Sequence, residues 1–507
     1  MSELGIMLAI VVYLGGMLYI GYRFSRNTGN VSDFYLGGRK LGPLAAAMSA
    51  EASDMSSWLL MGLPGVAYLS GTADAAWTAI GLAVGTYLNW LIVARRLRRY
   101  TEKTGSITVP QFFSDRYNDP KRLLTLVAAL LIIIFFVPYT ASGFAACGKL
   151  FASLFGVNYH AAMIVSAAVI IAYTALGGFM AVSITDLIQS VVMTIALFVI
   201  LLFGVHCAGG LDAVAANASS LAGYFSLTSM HDPVSGTALP YSLLTILSTA
   251  AWGLGYFGMP HILLRFMAIE HEDKLNISRR IGTIWVVISM GVSIFIGMVG
   301  LAASRAGAIP VLAGTDSETV IVRFASLLST HGFIPALIAG VVLAGILAST
   351  MSTADSQLLA ASSAVSRDLF TDVFHRELDA KKTLTVSRIT LTLIALVAII
   401  FAWDSTSSVF RIVSFAWAGF GASFGPVVLL ALFWKRSNRY GALAGMITGG
   451  VMIFVWKFLV RPMGGMLDIY ELLPAFLLAL AVNAVVSLLT PAPGKAIIDT
   501  FEKVANN

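Results

Sequence analysis

The sequence predicts an all-α polytopic membrane protein of about thirteen transmembrane helices, with a core of two five-helix repeats inserted in opposite directions. Three observations carry this. Only 11% of the 507 residues are charged and 58% are hydrophobic, whereas roughly a quarter of a soluble domain is charged. Apolar runs long enough to cross a bilayer recur from one end of the chain to the other. Two of these spans, five apart in order, are interrupted by residues that a lipid-facing helix does not carry.

The spans read as 4–22, 43–66, 74–94, 123–150, 159–179, 187–206, 240–268, 281–303, 334–358, 386–403, 410–434, 440–460 and 470–490. The first, Leu4 to Tyr22, has no interior charge, basic leader or small-residue cleavage site, so it is expected to be a retained peripheral span. The second runs from Pro43 to Gly65 and holds Ser49-Ala50-Glu51-Ala52-Ser53-Asp54-Met55-Ser56-Ser57 at its middle. A charge at mid-membrane costs at least ~2.5–3.5 kcal/mol, so such residues face a protein interior or a hydrated path. A packing seam of small residues accounts for Ala50 and Ser57 but not for Glu51 and Asp54 together. Unwound backbone lining a cation site accounts for all of them.

Spans two to six and seven to eleven form two sets of five. Because five is odd, the second set starts from the opposite side of the membrane. The first span of the second set is broken too, at Trp252-Gly253-Leu254-Gly255-Tyr256-Phe257-Gly258-Met259-Pro260, where glycines and a proline disrupt the helix and aromatics remain to line the opening. One integral membrane domain, 1–507, is therefore expected: a peripheral span and loop (1–40), a first repeat (41–206), a second repeat (240–434), and two peripheral spans with a tail (435–507). Spans twelve and thirteen are read as free of buried charge and of chemistry.

The ninth span contributes Ser349, Ser352, Thr353 and Ser356 at i, i+3, i+4 and i+7, which places four hydroxyls on one helical face. Such oxygens suit a hard cation, although each can also bond the carbonyl a turn earlier. Asp355 lies at the edge of that stripe. Asp186, where span six begins, reads either as a carboxylate meeting a helix dipole or as part of an ion site. Tyr139, beside Pro138, reads as packing or as a pocket aromatic.

Other chemistries find little support. Gly143 to Lys149 has part of a phosphate-binding loop, but Leu150 stands in place of the Ser or Thr and the context is an apolar helix. The seven histidines are scattered, and Cys147 and Cys207 stand alone, so neither metal-enzyme chemistry nor a disulfide framework is expected. The +6 charge reflects orientation rather than nucleic acid. With the N-terminus outside and the C-terminus cytoplasmic, 26 of the 32 lysines and arginines fall on the inside, including the Arg95-Arg96-Leu97-Arg98-Arg99 cluster, which also has the chemistry to meet anionic membrane lipids.

Four separated motifs, SDMSSWLLMGLPG, YTALGGFMAVSITD, WGLGYFGMPHILLRFMA and SFAWAGFGASFGPVVLL, resemble those of the sodium/solute symporters, in order and across nearly all thirteen spans. The resemblance implies a LeuT-like core, sodium as the coupling ion, no organic cofactor and no enzyme activity. It implies uptake by alternating access in a bacterial plasma membrane. It implies sodium held by backbone oxygens of Ala52, Met55 and Ser349 with the hydroxyls of Ser352 and Thr353, and Asp54 as the nearby carboxylate of coupling. It implies a solute pocket using Ser56, Trp58, Tyr139, Trp252, Tyr256 and Pro260. L-proline is the first candidate solute; another amino acid, a betaine or a carboxylate is the alternative, as is a transporter-like membrane sensor. Three positions depart from the family pattern: Glu51 stands for a glycine, Met259 for a glutamine and Ser349 for an alanine. Some relatives, sialic-acid symporters among them, are similar in pairing such a serine with a carboxylate at the Asp186 position, which implies a second sodium there.

Overall fold

The computed structural model describes residues 2–25, 31–376 and 379–505. Among these, nine helices are long and apolar enough to cross a membrane, and four shorter apolar helices fall at the remaining expected spans. Helix α1 (Ser2–Ser25) is followed by the first broken pair, α2 (Pro43–Asp54) and α3 (Leu63–Ser70), the latter entered through a wide turn at Trp58–Gly62. Then come α4 (Thr72–Leu88, continuing to Thr104), α5 (Val109–Tyr117), α6 (Leu123–Phe155), α7 (Tyr159–Gly177) and α8 (Phe179–Cys207). The second broken pair is α9 (Leu243–Ala250) and α10 (Pro260–Ala268), followed by α11 (Leu275–Arg305) and α12 (Phe333–Ser363). Helices α13 (Ala380–Phe401), α14 (Val409–Phe433), α15 (Arg439–Val455), α16 (Leu472–Leu489) and α17 (Lys495–Ala505) complete the chain. The first span is peripheral in sequence but firmly seated: Gly340 of α12 lies against Ile6 and Ala9, and Tyr13 accepts a hydrogen bond from Gln189 at 3.2 Å.

The two breaks have different physical origins. Between α2 and α3 the chain leaves the helix at Met55 (φ −75°, ψ 67°), and the Ser56 amide turns back to Asp54 O at 2.8 Å. Small residues and competing hydroxyls permit this. Between α9 and α10 the chain tightens into a 3₁₀ stretch, Ala251–Gly258, then extends at Met259 before Pro260 opens α10 at its first turn. The glycines here do more than weaken the helix. A Cβ on Gly253 would stand 2.1 Å from Gly81 O of α4, and one on Gly255 would stand 1.9 Å from the Trp417 indole nitrogen of α14. Glycine therefore lets the broken segment lie flush between two neighbours.

The start of α2 and the end of α10 are stitched together. Leu41 N donates to Ala268 O at 3.1 Å and Glu270 N to Leu41 O at 3.0 Å, as a one-residue parallel bridge. Arg39 bonds Met267 O, Thr101 O and Ser106 O. The basic cluster read as a topology anchor also has structural partners: Arg98 donates to Ile269 O, and Arg96 to Leu432 O while lying over Phe433.

The opposite end is held by a buried ion pair. Lys149 at the end of α6 meets Glu318 at 2.7 Å and also donates to Ser407 O. The same carboxylate accepts from Ser408 Oγ and from the Val409 and Phe410 amides, so it caps α14. Ser317 and Glu318 lie against Gly65 of α3. Glu318→Ala would leave a buried lysine without its carboxylate, a change expected to cost about 3–5 kcal/mol. It should lower the Tm of the detergent-solubilised protein, and Lys149→Met in the same chain should recover much of the loss.

Candidate functional site

The first break converges with the hydroxyl stripe of α12. Ser352 Oγ donates to Ala52 O at 2.8 Å, a bond spanning 300 residues of sequence, and also lies 3.3 Å from Ser349 O. Thr353 Oγ1 donates to the same Ser349 O at 3.1 Å. Four of the five oxygens expected around sodium, those of Ala52, Ser349, Ser352 and Thr353, are thus linked by single hydrogen bonds. Met55, which supplies the fifth, is the fully buried residue at which the helix breaks. These are hard, neutral oxygens. Back-bonding and ion binding are not exclusive here, because a hydroxyl that donates to a carbonyl keeps lone pairs for a cation.

Asp54 is fully buried beside this cluster. Its Oδ2 accepts from the Tyr256 hydroxyl, and its Oδ1 has no hydrogen-bond partner among the described residues. Its backbone carbonyl accepts from the Trp58 indole at 3.0 Å and from the Tyr139 hydroxyl at 3.2 Å. Three of the expected residues, Trp58, Tyr139 and Tyr256, therefore meet at Asp54, two at its carbonyl and one at its carboxylate. Glu51 points elsewhere: its Oε1 accepts from Thr86 and from Trp90, each at 2.9 Å. It faces α4 rather than the hydroxyls of α12.

The residues expected to line the solute pocket divide into two groups. Ser56 and Tyr139 line a gap with Thr140, Ser142, Thr350, Thr353 and Gln357, too narrow in this conformation for a free water molecule. Thr140 donates to Gln357 Oε1 at 3.0 Å, and the buried Gln357 amide nitrogen has no partner among the described residues. Trp252 lies with Trp58, ring centroids 6.0 Å apart. Trp417 ties the groups together: its indole donates to Trp252 O at 2.7 Å, and its ring meets Tyr256 edge-on at 5.1 Å. Pro260 takes the first turn of α10, where its missing amide proton costs nothing.

Asp186 is not at the helix terminus. It lies two turns into α8, where Oδ2 accepts from Ser49 at 2.6 Å and from Arg265 at 3.1 Å. Arg265 is itself buried at 1% exposure and further bonds Ser356 and His261 O. It is a core residue joining α2, α8, α10 and α12, not a loop charge. The sign was present in the sequence, since an arginine inside an apolar span needs a partner. Ser349 Oγ donates to Ile346 O of its own helix, so it and Asp186 share no hydrogen bond here.

This constellation of two broken helices, a carboxylate at one break and an oxygen cluster shared with α12 is that of a cation-coupled transporter. The chain belongs to the sodium:solute symporter family, whose defining pattern matches residues 34–449. It is 42% identical to the high-affinity proline transporter PutP of Bacillus subtilis over 488 residues, covering 96% of this chain and 98% of that one. It is 43% identical to the sodium/proline symporter of Haemophilus influenzae over 506 residues, covering 98% and 97%. In fold it is similar to a Na+-coupled sialic acid symporter in a substrate-bound outward-open state (TM-score 0.80, 17% identity, 97% of this chain and 99% of that one). It is similar also to MhsT in complex with L-phenylalanine (TM-score 0.56, 11% identity, 89% and 98%). The chain is a transporter and not an enzyme, and sodium is its coupling ion.

Replacing Ser352 or Thr353 by alanine removes an oxygen from the cluster. If each contact with the ion is worth roughly 1.5–3 kcal/mol, the sodium concentration for half-maximal uptake should rise by about ten- to a hundredfold. Uptake measured against sodium concentration in proteoliposomes checks this, with Thr353→Ser expected near the wild type.

Proposed function

We propose that this protein imports L-proline by sodium-driven alternating access across a bacterial plasma membrane, with the N-terminus outside and the C-terminus in the cytoplasm. The observation that carries the ion site is the Ser352 bond to Ala52 O, which brings the α12 hydroxyls to the first helix break. Near-complete coverage of proline transporters at about 40% identity supports the solute. Sodium is held by backbone oxygens of Ala52, Met55 and Ser349 and by the hydroxyls of Ser352 and Thr353. Asp54 lies beside it, where its field favours the cation. Asp186 is a second sodium position that would have to exchange its bond to Arg265 for the ion. Residues 41–206 and 240–434 form the two inverted repeats around these sites.

The solute carboxylate meets backbone N–H groups at the helix breaks, where the positive ends of helix dipoles are exposed. Ser56, Trp58, Tyr139, Trp252, Tyr256 and Pro260 surround it, the aromatic faces packing a small apolar ring. The gradient is sufficient. One sodium crossing ~100 mV contributes ~2.3 kcal/mol and a tenfold gradient about 1.4 kcal/mol, enough for an accumulation on the order of 500-fold. Met259, buried between the 3₁₀ turn and α10, is flexible enough to admit another apolar solute.

Purified protein in liposomes should accumulate labelled proline under an inward sodium gradient, and unlabelled proline should compete better than other amino acids, betaines or carboxylates. A better competitor would reassign the solute. Asp54→Ala should abolish sodium-dependent uptake with normal membrane insertion; wild-type sodium activation in that variant would remove Asp54 from coupling.

Orientation is tested separately. With Cys207 replaced by serine, Val234→Cys, 93% exposed in the loop before α9, should react with an impermeant thiol reagent in intact cells. Lys503→Cys in α17 should react only after the membrane is opened. The reverse pattern would invert the topology.

A further inference from the structure

The last spans are not free of buried charge. Glu471, immediately before α16, is fully buried and meets Arg461 at 3.0 Å and Lys457 at 3.4 Å. Lys457 also lies over the Phe415 ring at 4.4 Å, and Arg461 holds Asp468 at 2.9 Å. Bringing a carboxylate out of water into such a cluster is costly, and ion pairs of this kind seldom add net stability. What the cluster fixes is the residue beside it, Tyr470.

Tyr470 is tied at both its ends. Its amide donates to Ser248 Oγ of α9 at 2.6 Å, and its hydroxyl donates to Ser414 O of α14 at 2.6 Å. Between these anchors its ring lies nearly parallel to the Trp252 indole, 5.4 Å away at 21°. Phe410 of α14 flanks the same indole at 5.1 Å and 30°. Trp252 has no side-chain hydrogen bond of its own among the described residues, so neighbouring rings set its orientation. Packing in the membrane needs apolar bulk at this place. It does not need a tyrosine bonded at both ends to two different core helices.

We infer that Tyr470, from a span outside both five-helix repeats, is a positioning residue for Trp252 and thereby sets the size of solute the pocket accepts. The inference rests on the reading that Trp252 lines the solute pocket. With Tyr470 in place the indole is held in one orientation; without it, the indole gains freedom and the pocket loses a wall.

The experiment is uptake by the full-length protein in liposomes, with labelled proline and a competition series of cyclic imino acids having four-, five- and six-membered rings. In Tyr470→Ala, KM for proline should rise about five- to tenfold, the range one aromatic pair supports. Vmax and the half-activating sodium concentration should stay within about twofold, and the six-membered ring should gain on the five-membered one. Tyr470→Phe keeps the ring and should restore KM and ring-size preference. Tyr470→Leu, which keeps bulk without stacking, should behave as the alanine variant does and serves if that variant folds poorly. Unchanged KM and ring preference in the Ala and Leu variants would overturn the inference. So would a loss that raises the sodium requirement equally, which marks a purely structural role. Trp252→Phe separates the underlying reading: if it leaves KM unchanged, Trp252 is not in the pocket. If wild-type protein prefers another solute, the same variants are measured with that solute and its larger homologue.

Discussion

Everything in this molecule is arranged around the cost of exposing peptide groups at the middle of a membrane. Between Met55 and Ser57 the helix bonds lapse, and no lipid can replace them. The surrounding chain does so instead. Asp54 O takes the Trp58 indole, the Tyr139 hydroxyl and the Ser56 amide, while Ala52 O takes Ser352. A carbonyl in this setting is satisfied by a donor or by a cation, and exchange between the two is inexpensive because both are local. The ion site proposed above follows from the solution to the backbone problem.

The same economy explains where the charges lie. Asp186 with Arg265 and Lys149 with Glu318 join segments distant in sequence, and Glu471 with Lys457 and Arg461 closes the turn between the last two spans. Between them, Asp54 and Glu51 have no ion-pair partner among the described residues; they are met by hydroxyls and an indole N–H. The fixed cations are thus spent on other carboxylates, Arg265 within the core among them, and Asp54 and Glu51 are held by neutral donors. A mobile cation reaching that break would meet no resident ion-pair partner of either carboxylate among the described residues.

Much of this was legible in the sequence, and the reason is chemical. A span containing Glu51 and Asp54, a second one with three glycines before Pro260, and hydroxyls repeating on one face of the ninth are anomalies that apolar composition cannot absorb. Periodicity placed Ser352 and Thr353 on one side of a helix, but only the fold could show that this side meets Ala52. The failures were of a different kind. Arg265 escaped notice because hydropathy blurs where a span ends. Glu471 and Lys457 escaped notice because each lies within a turn of a span terminus, where charge is ordinary. Trp417, Thr140 and Gln357 carry no local signature, since their roles exist only through residues far along the chain. Gly253 and Gly255 were read as helix breakers, whereas their closest constraint is the neighbouring backbone and indole.

The short bridge between Leu41 and Ile269 has a mechanical consequence. It couples the ends of both broken helices through main-chain atoms alone, so most side-chain substitutions leave it standing. A link made this way would transmit torque, so that a tilt of one broken helix would load the other.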